Sequence, residues 1–403
     1  QQLYDKEHRV DYEVAALSQL KIEYKKFLSQ QNKSVNYMVK EFEMKKSAAA
    51  YARTKQDKTG IINPLKLHSY KFSDDIFKRI SVTPDGKNHG MMMFIDWSGS
   101  MNDKLQATIH QTMNLALFCK KVQIPFEVYA FSNSNSRRKD ITPNYELNDI
   151  TIDCRFHLIN FVSSRMNTKQ FDTAMKILFH VSCLYDRNRW MRFSSRKPVE
   201  HNFIYDLPDT PRGYGLSSTP LNDTIMAAYK LVPAFVEKYS IDKMNTIFLT
   251  DGDSHDSYDY MTKVDPDDVK DAVYARRHGD LKETYSYDGN LIVADNKTKT
   301  NFNLSYSEKS TGYFELLRKH TGSVILGFHI LHGRRSHQNL SYSVFGYDPK
   351  ITWQQREKIR KDFAKNKFVS STRLGYDEQW LIKGGKDLRV EDGEFKVDEN
   401  KKQ

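Results

Sequence analysis

"GMMMFIDWSGSMND", residues 90–103, is the stretch on which the reading of the chain turns. Met91 to Ile95 form an unbroken run of large apolar residues. A run of that length without alternation marks a strand buried on both faces. It ends abruptly in an acid and two hydroxyls, Asp96, Ser98 and Ser100. Three side-chain oxygens from one loop rarely complete a site, so their partners must come from elsewhere in the chain.

Outward from this loop, strand-length and helix-length segments alternate. KLQATIHQTMNLALFCKK (104–121) sets Leu105, Ile109, Met113 and Ala116 on one helical face, and IPFEVYAFS (124–132) follows as a strand. CRFHLINFV (154–162) reads as a third strand and TKQFDTAMKILFHVSCLY (168–185) as a helix. TPLNDTIMAAYKLVPAFVEKY (219–239) puts Leu221, Ile225, Ala228, Val232 and Phe235 on one face. MNTIFLTDGD (244–253) and SVILGFHIL (323–331) are further buried strands, and ITWQQREKIRKDFAKNK (351–367) is a late helix. This rhythm predicts an α/β fold with a doubly wound, mostly parallel sheet covered on both faces. In such sheets ligands bind beyond the carboxyl ends of the strands, where the winding reverses. The loop after Ile95 falls at that edge.

Residues 6–57 read as helical, with Val14, Leu17, Leu20, Tyr24 and Phe27 recurring at three- and four-residue intervals and a break at Gln30–Lys33. TGIINPL (59–65) reads as a turn-rich joint, and KLHSYKFSDDIFKRISV (66–82) as extended pieces leading into the core. The predicted organisation is a helical N-terminal segment with an extended joint (1–79) and a core α/β domain (80–335). Insertions interrupt the core at about 180–214 and 254–306, and a C-terminal helix with short strands and a polar tail follows (336–403).

Composition narrows the function classes. Of 403 residues, 39% are hydrophobic and 28% charged, as in water-soluble globular chains. No apolar run approaches the ~18 residues that span a bilayer, and no signal-peptide pattern opens the chain. The first residue is Gln1 rather than Met, which reads as a processed or trimmed start. Cys119, Cys154 and Cys183 are few and widely spaced, arguing against a disulfide framework or a CxxC zinc site and for a reducing, cytoplasmic setting. A net charge of +11 and a pI near 9.2 favour acidic partners, whether protein, nucleic acid or anionic lipid. There is no GxxxxGK[ST] phosphate loop, HExxH pair or GxSxG elbow. These absences favour a non-enzymatic chain and leave the question open.

Two other stretches end in the same kind of oxygen. STPLNDTI places Thr219 before Pro220, a combination expected at a helix entrance with Thr219 as the cap. TIFLTDGD ends its strand in Asp251. Asp96, Ser98, Ser100, Thr219 and Asp251 are then five hard donors on three loops of one sheet edge. Hydroxyls and carboxylates without His or Cys suit Mg²⁺, or Mn²⁺ in its place, in octahedral coordination that leaves a position for an incoming carboxylate.

Together, DWSGSM, STPLNDTI and LTDG resemble, residue by residue, the metal-ion-dependent adhesion site of von Willebrand factor type A domains. SVNYMVKEFEMKKSAAAY, KLHSYKFSDDIFKR and NHGMMMFIDWSGSM are similar to the phage-encoded relatives of the cobalt chelatase large subunit, which carries such a domain. The resemblance covers residues 33–135 and 213–253. It implies a Rossmann-like von Willebrand type A fold acting in the host cytoplasm as the adaptor of a MoxR-type AAA+ ATPase. It also implies roles: Ser98 and Ser100 as direct ligands, Thr219 direct or through water, and Asp96 and Asp251 orienting waters. A Glu or Asp of the protein partner would complete the coordination.

Two further readings stand beside this one. The same domain can serve as a subunit of a cobalt or magnesium chelatase-like complex. Alternatively, YDRNRWMRFSSRKP (185–198) interleaves Arg187, Arg189, Arg192, Arg196 and Lys197 with Trp190 and Phe193, a pattern that binds single-stranded nucleic acid or a protein. DGDSHDSYDY (251–260) reads as a solvated loop opening an insertion, and His110 as a packed or surface residue rather than a ligand.

Overall fold

In the computed structural model the described residues are 2–53, 55–62, 77–82, 88–133, 145–152, 155–193, 214–250, 254, 260–264, 277–284, 292–303, 309–331, 340–345, 350–371 and 375–383. Side chains are described from Val14 onward, apart from those of 52–62, 77–82, 186–193, 277–278, 309 and 342.

The central element is a seven-stranded sheet built from β3 (His89–Asp96), β4 (Phe126–Asn133), β5 (Phe156–Ser163), β6 (Lys243–Thr250), β12 (Val324–Leu331), β13 (Phe368–Ser371) and β14 (Glu378–Lys383). Their spatial order is β13-β14-β12-β6-β3-β4-β5. The inner strands β14, β12, β6, β3 and β4 run parallel, and the two edge strands, β5 and β13, are antiparallel to their neighbours. From β3 the chain winds outward through β4 to β5, then returns to the other side of β3 as β6. The winding therefore reverses between β3 and β6, and the carboxyl ends of these two strands flank the crevice where α/β sheets bind ligands. The fold is a Rossmann-like α/β fold. Its sheet takes in two strands from beyond residue 335, in the stretch expected to be a separate C-terminal segment.

The apolar run of β3 is continuous because both faces are covered. Its pleat sends Met93 and Ile95 into a cluster with α1 (Gln2–Arg53), α2 (Leu105–Lys121) and α3 (Thr168–Phe193). Met92 and Phe94 point the other way, to α4 (Leu221–Tyr239) and α5 (Lys309–Thr321). On that face the Phe94 and Phe248 rings stack at 5.1 Å. Gly90 opens the strand where a Cβ would collide with the Ile241 side chain. The shorter helices α6 (Leu340–Phe345) and α7 (Trp353–Asn366) pack at the β13–β14 edge through Leu340, Val344 and Phe363.

Helix α1 is continuous across Gln30–Lys33, where a break was expected. The polar run is used for docking rather than for a turn. Asn114 Nδ2 donates to Gln31 Oε1 at 2.7 Å, and Lys121 Nζ donates to Asn36 Oδ1 at 2.7 Å and Asn32 Oδ1 at 3.3 Å. Ala16, Leu20, Tyr24 and Phe27 bury the preceding turns against α2 and α3. TGIINPL is not a joint throughout: its first residues belong to β1 (Lys55–Ile62), paired antiparallel with β2 (Phe77–Val82). Residues 63–76 lie outside the described residues.

The described residues between 260 and 303 form two small antiparallel sheets. β7 (Tyr260–Lys263), β9 (Leu281–Thr284) and β8 (Arg277–His278) make one, and β10 (Ile292–Asp295) pairs with β11 (Thr300–Asn303) as the other. Asp295 fastens this second hairpin. Its carboxylate accepts from Lys297 N at 2.9 Å, Thr298 Oγ1 at 2.8 Å and His320 Nδ1 of α5 at 3.0 Å, while the Tyr229 ring of α4 stacks on His320 at 3.9 Å. Burial opposes ionisation, yet the hydrogen bonds from Thr298, His320, Lys297 and Tyr229 outweigh it and hold the Asp295 carboxyl well below the usual carboxylate range. A depressed folded pKa means that this contribution is complete above the unfolded value of about 3.9 and is lost as pH falls below it. Hydrogen-exchange protection of residues 292–303 is expected to drop selectively below about pH 4. In Asp295→Asn that acid step should vanish and protection should be low at neutral pH; an unchanged profile would contradict the role given to Asp295.

Candidate metal centre

At the carboxyl end of β3, Asp96 is fully buried. Its Oδ2 accepts a 2.7 Å hydrogen bond from Thr250 Oγ1, the last residue of the neighbouring strand β6. The carboxylate is thus held across the strand pair at which the winding reverses. Beyond it, Trp97 N donates to Phe131 O at 3.0 Å, and Trp97 O accepts from Ser132 Oγ at 2.9 Å, which ties the loop to the end of β4.

Ser98 is buried in an extended conformation (φ −102°, ψ 165°) and leads into a single 3-10 turn, Gly99–Met101. That turn folds the next residues back, so that Ser98 Oγ and Ser100 Oγ lie 3.0 Å apart. Ser98 is buried and Ser100 exposed, so the pair bridges interior and solvent.

The segment carrying Thr219 runs beside this loop like a short extra strand. Ser98 and Ser217 form a parallel bridge; Gly99 N donates to Ser217 O at 2.9 Å and Ser217 N to Trp97 O at 3.4 Å. Asn133 Nδ2, at the end of β4, donates to Ser218 Oγ at 3.0 Å. Thr219 follows, buried. Helix α4 begins at Leu221 with Pro220 as its flanking residue. Thr219 is therefore not the helix cap expected from STPL, but stands one residue outside it.

Trp97 anchors the whole arrangement. Fully buried, it meets Phe161 at 4.9 Å and Tyr185 at 5.5 Å edge-on, and its Nε1 donates to Tyr214 O at 2.8 Å. The Tyr185 hydroxyl donates to the same carbonyl at 2.9 Å. Burial pushes the Tyr185 and Tyr214 hydroxyls up, so both remain neutral at physiological pH. One aromatic cluster thus positions both loops, 96–100 and 214–219.

Four of the five expected donors are brought to this edge: Asp96, Ser98, Ser100 and Thr219. Asp251 lies outside the described residues, as do Asp253, His255, Asp256 and Asp259. The side chains of 186–197 lie outside them too, although α3 carries the backbone to Phe193. His110 is packed: its Nε2 lies 3.0 Å from Ser182 Oγ, and its ring stacks on Phe179. Sequence reasoning missed Thr250, Trp97, Ser132, Asn133, Tyr185 and Tyr214. A Trp in the middle of a polar loop was the available signal for the anchor.

The two serine hydroxyls are hydrogen-bonded to each other, and their spacing is one a small hard cation could also bridge. Octahedral ligands at ~2.0–2.1 Å from Mg²⁺ place neighbouring oxygens about 2.9 Å apart. The 3.0 Å between the two serine hydroxyls matches that edge. Among the described residues no group of three or more His, Cys, Asp and Glu side chains could hold a metal, so softer Zn²⁺-type coordination has no counterpart there. Nor is any helix among them long and apolar enough to cross a membrane.

No protein-family model and no curated protein matches the sequence. Among solved structures, two forms of the pilus adhesin SpaC from Lactobacillus rhamnosus GG are similar over 70% of this chain. The open conformation has a TM-score of 0.32 at 12% identity, and a second form 0.33 at 11%. The chain spans about 30% of the length of that adhesin.

Proposed function

We propose that the chain is a Mg²⁺-dependent protein-binding module of the von Willebrand type A kind, serving as an adaptor for a MoxR-type AAA+ ATPase. The observation that carries this reading is the hydrogen-bonded pair of serine hydroxyls beside a buried carboxylate at the point where the sheet reverses. Ser98 and Ser100 would hold the ion directly, and Thr219 directly or through water. Asp96 and Asp251 would orient coordinated waters and balance charge. When bound, Mg²⁺ supplies a hard electrophilic contact for a carboxylate of the partner. The chain's own residues do the rest. Thr250 fixes Asp96, and Trp97 with Asn133 fixes the two loops.

A net charge of +11 favours an acidic partner, and the ATP-driven step belongs to that partner because the chain has no phosphate loop. The test is affinity capture of a MoxR-type ATPase on the immobilised chain, in Mg²⁺ and again in EDTA. Retention is expected only in Mg²⁺, and to fall about 10–100-fold with Ser98→Ala. Retention that survives both EDTA and Ser98→Ala would refute the mechanism.

A further inference from the structure

Away from the candidate metal centre, the sheet ends at β5, whose outer edge is unpaired among the described residues. An edge strand turns the N–H and C=O of alternate residues outward, so a second extended chain meets a row of donors and acceptors there. A bulge at Phe161 ends the regular part: Val162 faces Val128 and Asn160 faces Tyr129, with no position opposite Phe161. Phe156 to Asn160 pair one to one with β4 and are all half-buried.

The surface beside that edge is concave. Two adjoining hollows of about 330 and 400 Å3 share Asn160, Met166 and Gln170. Phe161 and, from α3, Ala174, Ile177 and Leu178 wall the larger one, and Ile177 is 40% exposed, so its apolar surface is open to a partner. Lys169, two turns before Ile177 on α3, stands at the other end. The acids nearby are already engaged. Buried Glu127 accepts from Arg165 Nε at 2.6 Å, Arg165 Nη2 at 3.0 Å and Asn160 Nδ2 at 2.8 Å, and Asp172 pairs with Lys176 at 2.6 Å. The Lys169 ammonium has no ion pair among the described residues, which leaves this end of the groove positive.

These features select the occupant. A backbone edge pairs with an extended peptide, and the charge calls for an acid. At 1.5 Å per residue Lys169 and Ile177 lie about 12 Å apart along α3, a distance that about four residues of extended chain span. Residues four apart in a strand share a face, so an apolar side chain and an acid at that separation would meet Ile177 and Lys169 together. A second copy of this chain is a poor match. Paired in parallel it would set Lys169 near its own counterpart, and paired antiparallel near Arg155, which precedes β5.

We propose that this edge is a docking site for an extended, acidic segment of a partner protein, which adds a strand to β5 and seats an apolar side chain at Ile177 and an acid at Lys169. The contact is separate from the metal-dependent one, so the experiment is run on the full chain in EDTA. The probe is the end-blocked peptide Thr-Ile-Thr-Ile-Thr-Asp-Thr-Asp-Thr, with its reversed sequence as a second probe because a strand can add in either direction. One of the two is expected to slow hydrogen exchange of outward amides within residues 156–160. Its affinity should fall about fivefold with Lys169→Glu and about tenfold with Ile177→Asp, both at exposed positions. Copies N-methylated at the threonines or at the intervening residues each block one edge of the peptide, so one of them should fail to bind.

The proposal is overturned if neither peptide slows exchange within 156–160, or if both N-methylated copies bind as the parent does. It is also overturned if a copy with Lys in place of Asp binds wild type equally well. Protection of 156–160 that rises with protein concentration in the absence of peptide would assign the edge to a second copy and overturn it too.

Discussion

Trp97→Ala is expected to remove about 4 kcal/mol of folding stability, the largest effect of any single change around the loop. The ring is wholly enclosed and stands edge-on to Phe161, Tyr185 and Tyr214. Truncation would leave a cavity among three aromatics and delete the 2.8 Å hydrogen bond to Tyr214 O. Against a typical domain stability of about 5–15 kcal/mol, that loss brings the chain close to unfolding at 37 °C. Trp97→Phe keeps most of the ring and loses chiefly the hydrogen bond, so about 1–2 kcal/mol is expected. Urea denaturation midpoints of the three proteins check both values. A Trp97→Ala loss below about 1 kcal/mol would show that the indole does not hold the loop.

Asp96→Asn should separate stability from metal binding. Asn Oδ1 can accept from Thr250 as the carboxylate does, so the 2.7 Å bond across β3 and β6 is kept. The metal-free variant is expected to be at least as stable as wild type, because a buried negative charge is removed without emptying its volume. Mg²⁺ is expected to act mainly on wild type. At one hundred times its dissociation constant a bound ion adds about 2.7 kcal/mol to folding stability. Losing a group that orients coordinated waters weakens binding about 10–100-fold, so at the same Mg²⁺ the increment should fall to about 0.4–1.4 kcal/mol in Asp96→Asn. Denaturation with and without Mg²⁺ measures it; equal increments in both proteins would exclude Asp96 from the site.

The sheet was readable from sequence where burial is symmetrical. A parallel strand covered on both faces has no alternation to hide, so MMMFI and TIFLT stand out, and polar residues mark where cover ends. Helix α1 was misread for a physical reason. Gln31 and Asn32 look like part of a break until their partners on α2, more than eighty residues away, are known. TGIINPL misled in the opposite direction, since Gly60 sits within a strand whose pairing with β2 local propensity cannot show.

At the candidate site, the hydroxyls and acids were conspicuous because such residues are unexpected straight after an apolar run. Their supports were not. Thr250, Ser132 and Asn133 look like ordinary strand ends, and Tyr214 acts through its carbonyl, which leaves no mark in the sequence. Thr219 was recognised from its neighbour, but Pro220 occupies the flanking position of α4, so the capping role assigned to Thr219 falls away.

We propose that the loop after β3 holds Mg²⁺ through two serine hydroxyls. Calorimetric titration of Mg²⁺ into the purified, EDTA-stripped chain tests it most directly, repeated on Ser98→Ala combined with Ser100→Ala. One saturable site is expected in wild type, weakened at least about 100-fold in the double variant, whose metal-free stability stays within about 1 kcal/mol of wild type. No saturable binding by the wild type, or the same affinity in both proteins, would contradict it.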